Sequence, residues 1–289
     1  MKIFLIGLSA VVVLALLTVL LRTPRADRNW LPALAQTPRF TPADARWTLD
    51  ALRAYEFGED GATVKEWRGA DIDPNDLSEI WYFVEPFESW DAFAHSFVSF
   101  VFKGDEPRHV VVSVEARREE GETYSALRGV FNEYELLYQW STEKDILTRI
   151  AIDLDHDLYA YRVDASPEQA QAILQHFIAR TNRLAERPRF YNTLASNCTN
   201  ELAKAVNEAF PGALPWRRAY VFTGRSGEYL YKRGFITGEG RFKDIQARAN
   251  ISPLVRDLRA LPTGDFSRAW REKFSSGRDQ TTSPDGSAN

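Results

Sequence analysis

The only cysteine of the chain, Cys198, lies in the run ASNCTNEL, where the surrounding residue types favour nucleophilic chemistry. Asn197 is a good helix N-cap, and Pro211-Gly212 ends the apolar pattern that follows it. The pattern therefore predicts a helix with Cys198 in its first turn. Free amides and the positive end of a helix dipole stabilise a thiolate and can hold an oxyanion. A small buried apolar side chain is the alternative interpretation of a lone cysteine.

Four histidines are available as the general base that such a thiol needs. His176 lies in a polar stretch of a helix, His156 lies in an acidic turn, and His109 opens a strand, so these three are weaker candidates. His95 begins a strand among aromatic residues, which suits a fixed and partly buried imidazole. We predict that His95 is the base, and a core histidine bonded to a backbone carbonyl is the alternative.

A carboxylate for this histidine is available on the next strand. Residues 94–102 (AHSFVSFVF) and 109–117 (HVVVSVEAR) predict two antiparallel strands. In the second strand, alternation puts the even-numbered valines on one face and Glu115 on the opposite, polar face, which looks outward or into a site. Glu115 is therefore a candidate to accept a hydrogen bond from His95 and fix its tautomer. An ion pair of Glu115 with a neighbouring arginine is equally consistent.

The remaining pattern supplies the elements that would position these side chains. Further strands are predicted over residues 134–140, 147–154 and 158–163, which gives a mostly antiparallel sheet of about five strands. Ser166, followed by Pro167 and Gln169, predicts a capped helix that packs on the sheet. The expected fold class is α+β, with an antiparallel sheet packed against helices and an N-terminal transmembrane helix.

The N-terminus predicts a membrane anchor. Residues 3–21 contain no charged residue and are long enough to span a bilayer, and Arg22 follows with no small-residue cleavage site. We therefore predict an anchor over residues 1–22 and a linker and approach segment over residues 23–56. Flanking charges alone allow either orientation of the body. A main catalytic domain is expected over residues 57–240, followed by a helical extension (241–276) and a disordered tail (277–289).

Several classes of function are poorly supported by composition and motifs. The net charge of -4 and the pI near 5.7 make nucleic acid a poor partner. The histidines lack metal-binding spacing, and the chain has no P-loop, dinucleotide-binding or serine-hydrolase motif. We therefore expect no metal and no cofactor.

Four runs of the chain resemble the Lnb N-terminal periplasmic domain family, over roughly residues 57–240. They are FESWDAFAHSFVSFVF (87–102), VSVEARREEG (112–121), GVFNEYELLY (129–138) and RFYNTLASNCTNE (189–201). The Tyr-Asn pair before the Asn-Cys-Thr motif is the most specific part. The resemblance implies a circularly permuted member of the NlpC/P60 and papain-like superfamily, in which the histidine strand precedes the cysteine helix.

The resemblance also implies residue roles and a location. Cys198 matches the cysteine of the family, His95 matches its histidine, and Glu115 matches an acidic position. Tyr191, Asn197 and Thr199 lie close to the cysteine in sequence and are our predicted substrate-binding residues. The relation favours the periplasmic side of the bacterial inner membrane for the catalytic domain. Neither the sequence nor the resemblance predicts an oligomeric state.

The namesake of the family is a lipoprotein N-acylation transferase, which gives the expected chemistry. We predict a membrane-anchored cysteine acyltransferase or hydrolase that acts on a membrane lipid or lipoprotein through an acyl-thioester intermediate. A cell-wall peptidase or amidase is one alternative, because NlpC/P60 relatives often cut peptidoglycan. A non-catalytic, membrane-tethered binding or scaffold protein is the other.

Overall fold

The computed structural model describes residues 21–87, 92–104 and 109–281. Its strands are β1 (Phe40–Ala43), β2 (Arg46–Arg53), β3 (Glu56–Gly58), β4 (Gly61–Val64), β5 (Trp67–Ile72), β6 (Leu77–Pro86), β7 (Ala94–Phe102), β8 (His109–Arg117), β9 (Glu135–Thr142) and β10 (Tyr159–Arg162). Eight of them form one sheet in the order β1-β2-β9-β8-β7-β6-β10, with β5 paired to β2. β3 and β4 form a separate hairpin.

The helices pack against this sheet, as the predicted α+β class requires. They are α1 (Ala126–Val130), α2 (Glu143–Thr148), α3 (Pro167–Glu186), α4 (Cys198–Ala209), α5 (Ser226–Lys232), α6 (Phe242–Ala247), α7 (Ser252–Leu258) and α8 (Thr263–Thr281). Ser166 and Gln169 form the predicted capping box of α3. The C-terminal extension predicted over residues 241–276 is occupied by α6, α7 and most of α8.

The sheet is larger than expected and is mixed. Strands β7 and β8 have the predicted bounds and pair antiparallel, with Phe97 opposite Ser113. Strand β2, however, runs parallel to β9 where Arg53 pairs with Ser141. The sheet is mostly antiparallel, as expected, with this one parallel contact. The expected number of about five strands is corrected by the sheet strands before residue 94, which are β1, β2, β5 and β6.

Those early strands lie in or next to the segment that we predicted to be a linker. Strands β1 and β2 fall within residues 23–56, and Leu49 and Leu52 are fully buried. Arg53 makes a buried ion pair with Asp145 at the start of α2. The Pro-, Arg- and Ala-rich composition of this segment suggested a linker. Its strands could not be predicted because they form contacts with residues far away in sequence, such as Asp145 and Ser141.

A strand was predicted over residues 147–154, and this prediction is wrong. The segment continues α2 into a π-helical turn at Arg149–Asp153. The Thr142 side chain caps α2 by accepting a hydrogen bond from the amide of Asp145. Leu147, Ile150 and Ala151 are fully buried, and their spacing of three and four residues is that of a helix rather than a strand.

Both faces of the sheet are covered where the valines of β8 lie. Val110 and Val112 join the core that α3 and α4 cover, whereas Val111 joins a second core with α2, α7 and α8. The second face becomes polar only toward the end of β8, at Ser113 and Glu115. The functional site begins at that end.

The two termini of the chain fall partly outside the described residues. Residues 1–20 of the predicted anchor lie outside them, and no helix within the described ranges is long and apolar enough to cross a membrane. At the other end, α8 continues to Thr281, beyond the predicted start of the disordered tail at residue 277. Residues 282–289 lie outside the described residues.

Candidate active site

Helix α4 carries the cysteine at its first position, as predicted. The Asn197 side chain accepts a hydrogen bond from the amide of Asn200 (2.8 Å) and donates to the carbonyl oxygens of Thr193 (2.8 Å) and Tyr220 (2.7 Å). Cys198 is buried, and its Sγ lies 3.8 Å from the carbonyl oxygen of Ala94. Asn197 therefore fixes the helix start against two loops and holds the thiol against the first residue of β7.

Strands β7 and β8 bring His95, Ser113 and Glu115 together. The imidazole Nε2 of His95 lies 2.7 Å from the Ser113 hydroxyl and 3.3 Å from a Glu115 carboxylate oxygen. The Ser113 hydroxyl donates its proton to Glu115, so it accepts one from Nε2 of His95. This arrangement leaves Nδ1 as the nitrogen free to exchange a proton with the thiol.

The pKa values of His95, Glu115 and Cys198 depend on one another through their charges. Burial alone would lower the pKa of His95, but the Glu115 charge and the Cys198 thiol raise that pKa well above its ordinary value. Burial would likewise raise the pKa of Glu115, yet the charge and hydrogen bond of His95 hold it well below the usual range. Glu115 is thus a carboxylate and His95 is readily protonated.

The same coupling acts on the thiol. Burial alone would raise the pKa of Cys198, but hydrogen bonding and charge from His95, together with Ser96, outweigh burial and lower it. Ser96 also shares a hydrogen bond with Thr199 (3.0 Å between the hydroxyl oxygens). The site therefore favours a thiolate beside an imidazolium, which is the reactive form of a nucleophilic cysteine.

Two tyrosines, Tyr124 and Tyr191, lie close enough to Cys198 for its charge to act on them. The hydroxyl oxygens of Tyr124 and Tyr191 are 3.4 Å apart. Burial raises the pKa of Tyr191 well above its ordinary value, and the charge of Cys198 raises it further. A Cβ atom at Gly129 would come within 2.4 Å of the Thr193 hydroxyl, so only glycine lets α1 approach the loop after Tyr191.

The structure gathers all six residues singled out in the sequence. His95 interacts with both Glu115 and Cys198, while Tyr191, Asn197 and Thr199 lie around the cysteine. The sequence did not identify Ser113, Ser96 and Tyr124 as residues of the site. Ser113 had a usable signal, because it lies two residues from Glu115 on the same face of β8. Ser96 and Tyr124 had none, because their proximity depends on the fold.

Two of the other histidines pair with different carboxylates. His156 pairs with the buried Glu85 (2.7 Å), and His176 lies 3.5 Å from Glu208 on the surface of α3. Within the described ranges, no group of three or more His, Cys, Asp or Glu side chains could hold a metal ion.

Comparison with known proteins places the chain in a family. No curated protein and no solved structure matches it significantly. The family described as the Lnb N-terminal periplasmic domain matches residues 63–223, which is more than half of the chain and includes His95, Glu115 and Cys198. The resemblance seen in the sequence is thereby confirmed, and the chain belongs to the Lnb N-terminal periplasmic domain family.

Proposed function

We propose that the protein is a cysteine acyltransferase or hydrolase that acts on a lipid or lipoprotein acyl group. The observation that carries this proposal is Cys198 at the start of α4 beside His95, which lowers the pKa of the buried thiol. A structural cysteine needs no such partner, because burial in apolar surroundings raises the pKa of a thiol and makes it inert.

In the proposed reaction, Nδ1 of His95 takes the proton of the Cys198 thiol. The thiolate attacks the acyl carbonyl carbon, a carbon–sulfur bond forms, and the carbonyl electron pair moves to oxygen. The amide of Cys198 and the positive end of α4 stabilise this oxyanion. The leaving group then departs with the proton from His95. An amine or a water molecule then attacks the thioester carbonyl and gives its proton to His95. The carbon–sulfur bond breaks, the acyl group stays on the attacking nitrogen or oxygen, and the sulfur takes the proton back from His95.

We further propose that the domain is a circularly permuted relative of NlpC/P60 and papain-like enzymes. Support comes from the shared roles: a cysteine at a helix N-terminus, a histidine on a strand and a carboxylate on the neighbouring strand. The histidine precedes the cysteine in this chain, but triads are recognised by geometry and roles rather than by chain order.

We place the domain on the periplasmic face of the inner membrane, held by an N-terminal anchor. The name of the family is that of a periplasmic domain, and residues 3–21 carry no charge. Leu127 of α1 and Phe131, which directly follows α1, have 70% and 45% of their surface exposed. Arg22 donates hydrogen bonds to the carbonyl oxygen of Phe131 (3.3 Å) and to Glu133 (2.8 Å). The end of the apolar run is thus tied to an exposed apolar surface near the site.

The first experiment measures the reactivity of the thiol. The full-length protein in lipid nanodiscs is exposed to iodoacetamide from about pH 5 to about pH 9, and modification is followed by intact mass. We expect Cys198 to react at a pH below the range of an ordinary thiol, and His95→Ala to move the reaction to higher pH. His176→Ala is the matched control, since that histidine is remote from the thiol.

A pH profile that is identical in the wild type and His95→Ala would overturn the nucleophile assignment. The substrate class is tested separately, by supplying fatty-acyl esters and thioesters or peptidoglycan fragments and looking for a covalent acyl-enzyme by mass. Acylation of Cys198 by the lipid donors supports the proposal. Cleavage of the peptidoglycan fragments alone would assign a cell-wall peptidase instead.

A further inference from the structure

An apolar cavity lies between the sheet and helices α3, α4 and α5, on the cysteine side of the sheet. Its space, including the opening to solvent, is about 650 Å³. Its lining includes Ile80 of β6, Val98 of β7, Ile173 and Phe177 of α3, Leu202 of α4 and Leu230 of α5. No charged side chain lines it among the described residues. A ligand that fits this cavity is therefore uncharged and mostly hydrocarbon.

Five of the lining residues carry a hydroxyl group: Tyr82, Thr199, Tyr220, Ser226 and Tyr229. Tyr82 and Ser226 both line the cavity and are 4% and 2% exposed. Neither hydroxyl makes a hydrogen bond of normal geometry among the described residues, although the two lie close to each other. Burial raises the pKa of Tyr82 to about 12, so this hydroxyl stays protonated and can donate. A buried hydroxyl without a partner is costly, so the pair suits a ligand that brings an oxygen acceptor.

The polar end of the cavity lies next to the nucleophile. Thr199 lines the cavity, directly follows Cys198, and has its hydroxyl oxygen 4.0 Å from Sγ. The Tyr82 hydroxyl lies close to the hydroxyls of Ser96, Thr199 and Ser226, and it senses the charge of Cys198. A chain that fills the cavity would therefore have its oxygen-bearing end near the thiol.

We propose that this cavity binds a fatty-acyl chain, and that Tyr82 and Ser226 donate hydrogen bonds to its ester carbonyl oxygen. An ester matches the site because it is neutral and its oxygens only accept, whereas a free fatty acid would bring a negative charge into an uncharged cavity. The inference rests on the proposed acyl chemistry, since it assigns the acyl-chain site of that reaction.

The test uses binding rather than turnover. Full-length Cys198→Ala protein in phosphatidylcholine vesicles is illuminated with a dodecanoyl glycerol ester that carries a diazirine at the chain end. A second probe is the matching dodecyl glycerol ether, which lacks the carbonyl. Peptide mapping by mass spectrometry gives the labelled residues and the probe concentration for half-saturation. We expect saturable labelling of residues on β6, α3 and α4.

Two further substitutions separate the parts of the proposal. Tyr82→Phe is expected to raise the half-saturating concentration of the ester about five- to tenfold and to leave the ether unchanged, because only the ester uses the lost hydroxyl. Ala203→Phe, which adds a ring to the cavity wall, is expected to weaken both probes more than about tenfold. Tyr231→Phe, outside the cavity, is the control, and thermal unfolding confirms that each variant is folded.

Labelling that does not saturate, or that Ala203→Phe leaves unchanged in a folded protein, would overturn the cavity as a lipid site. An equal effect of Tyr82→Phe on both probes would overturn the carbonyl contact. Because the cysteine is absent, these outcomes are independent of the reaction. Saturable labelling in a protein whose wild type never forms an acyl-enzyme would support the binding site and overturn the proposed function.

Discussion

The Ser113 hydroxyl couples His95 to Glu115 through a short relay, and the carboxylate also contacts Nε2 of the imidazole directly. Through this double contact, the charge of Glu115 raises the pKa of His95. The carboxylate favours the imidazolium, and the imidazolium in turn favours the thiolate of Cys198. Glu115 on β8 thus affects the ionisation of Cys198 on α4 through the imidazole of His95.

Substitution of the carboxylate by an amide should reverse this effect. In Glu115→Gln, the negative charge that raises the pKa of His95 is removed, so we expect the imidazole to titrate at a lower pH. The imidazolium then persists over a narrower range, and the alkaline limb of the activity profile moves to lower pH, with a loss of roughly 100-fold or more in kcat/KM. Histidine NMR titration measures the first effect, and the resonances of His176 serve as the internal reference. An unchanged His95 titration would contradict the relay.

At the scale of elements, a buried charge network holds α4 in place. Glu201 of α4 is fully buried and pairs with Arg180 of α3, Arg189 (2.9 Å) and Lys204 (2.7 Å), and it also accepts a hydrogen bond from Tyr138 of β9 (2.7 Å). Burial alone would raise the pKa of Glu201, but these charges outweigh it and lower the pKa to about 2. The helix that carries Cys198 is thereby fixed to a neighbouring helix and to the sheet.

This network predicts a pH-dependent stability. Because the folded pKa of Glu201 is depressed, its contribution is present above about pH 4.3 and is lost as the pH falls toward 2. Glu201→Gln should therefore cost about 3 kcal/mol of unfolding free energy at neutral pH, and the difference from the wild type should shrink in acid. Denaturant unfolding of both proteins across pH measures the difference in unfolding free energy at neutral pH and its decrease in acid.

The surface ion pair of Glu228 with Lys232 provides the control, and Glu228→Gln should change stability by about 0.5 kcal/mol or less. If Glu201→Gln costs no more than this control at neutral pH, the network does not stabilise the fold as proposed.

The sequence revealed the elements with strong local signals. The bounds of β7 and β8 follow from their alternation and flanking turns, and the starts of α3 and α4 follow from Ser166 and Asn197 as caps. The cysteine, histidine and carboxylate could be chosen for the same reason, since each lies on an element whose type was clear. The sequence did not indicate the features that depend on contacts between residues far apart along the chain.

Two examples show this limit. Strand β2 joins the sheet by pairing with β5 and by a parallel contact from Arg53 to Ser141, which no local pattern encodes. Glu201 looks like an ordinary solvent-facing helix residue, and its burial follows only from where Arg180 and Tyr138 lie in the fold.

At the scale of the whole molecule, the C-terminal helix closes the second face of the sheet. Trp270 of α8 packs against Trp81 (5.2 Å between ring centroids) and Phe83 (6.0 Å), and Arg271 pairs with the buried Glu143. The family match ends at residue 223, well before α8. The helix is nevertheless part of the core on which the histidine strand rests.

A chain that ends at Leu261 should therefore lose its cooperative fold, because it exposes the second core and leaves Glu143 without its arginine. Trp270→Ala is the milder variant, with an expected cost of about 3–5 kcal/mol. A chain that ends at Thr281 keeps all of α8 and is the control. Thermal unfolding and binding of a hydrophobic dye distinguish the three. A truncated chain that melts like the control would show that α8 is dispensable.

The packing of α8 on β6 also determines when the protein can fold. Trp270 can meet Trp81 only after helices α3 to α7 have been made, and β2 waits for β9, so the fold depends on contacts of high sequence separation. Such topologies fold slowly because loop closure precedes the stabilising contacts. For a chain that emerges N-terminus first, the second-core face of β6 and β7 stays uncovered until α8 has followed. Until then the growing chain exposes apolar surface that favours aggregation.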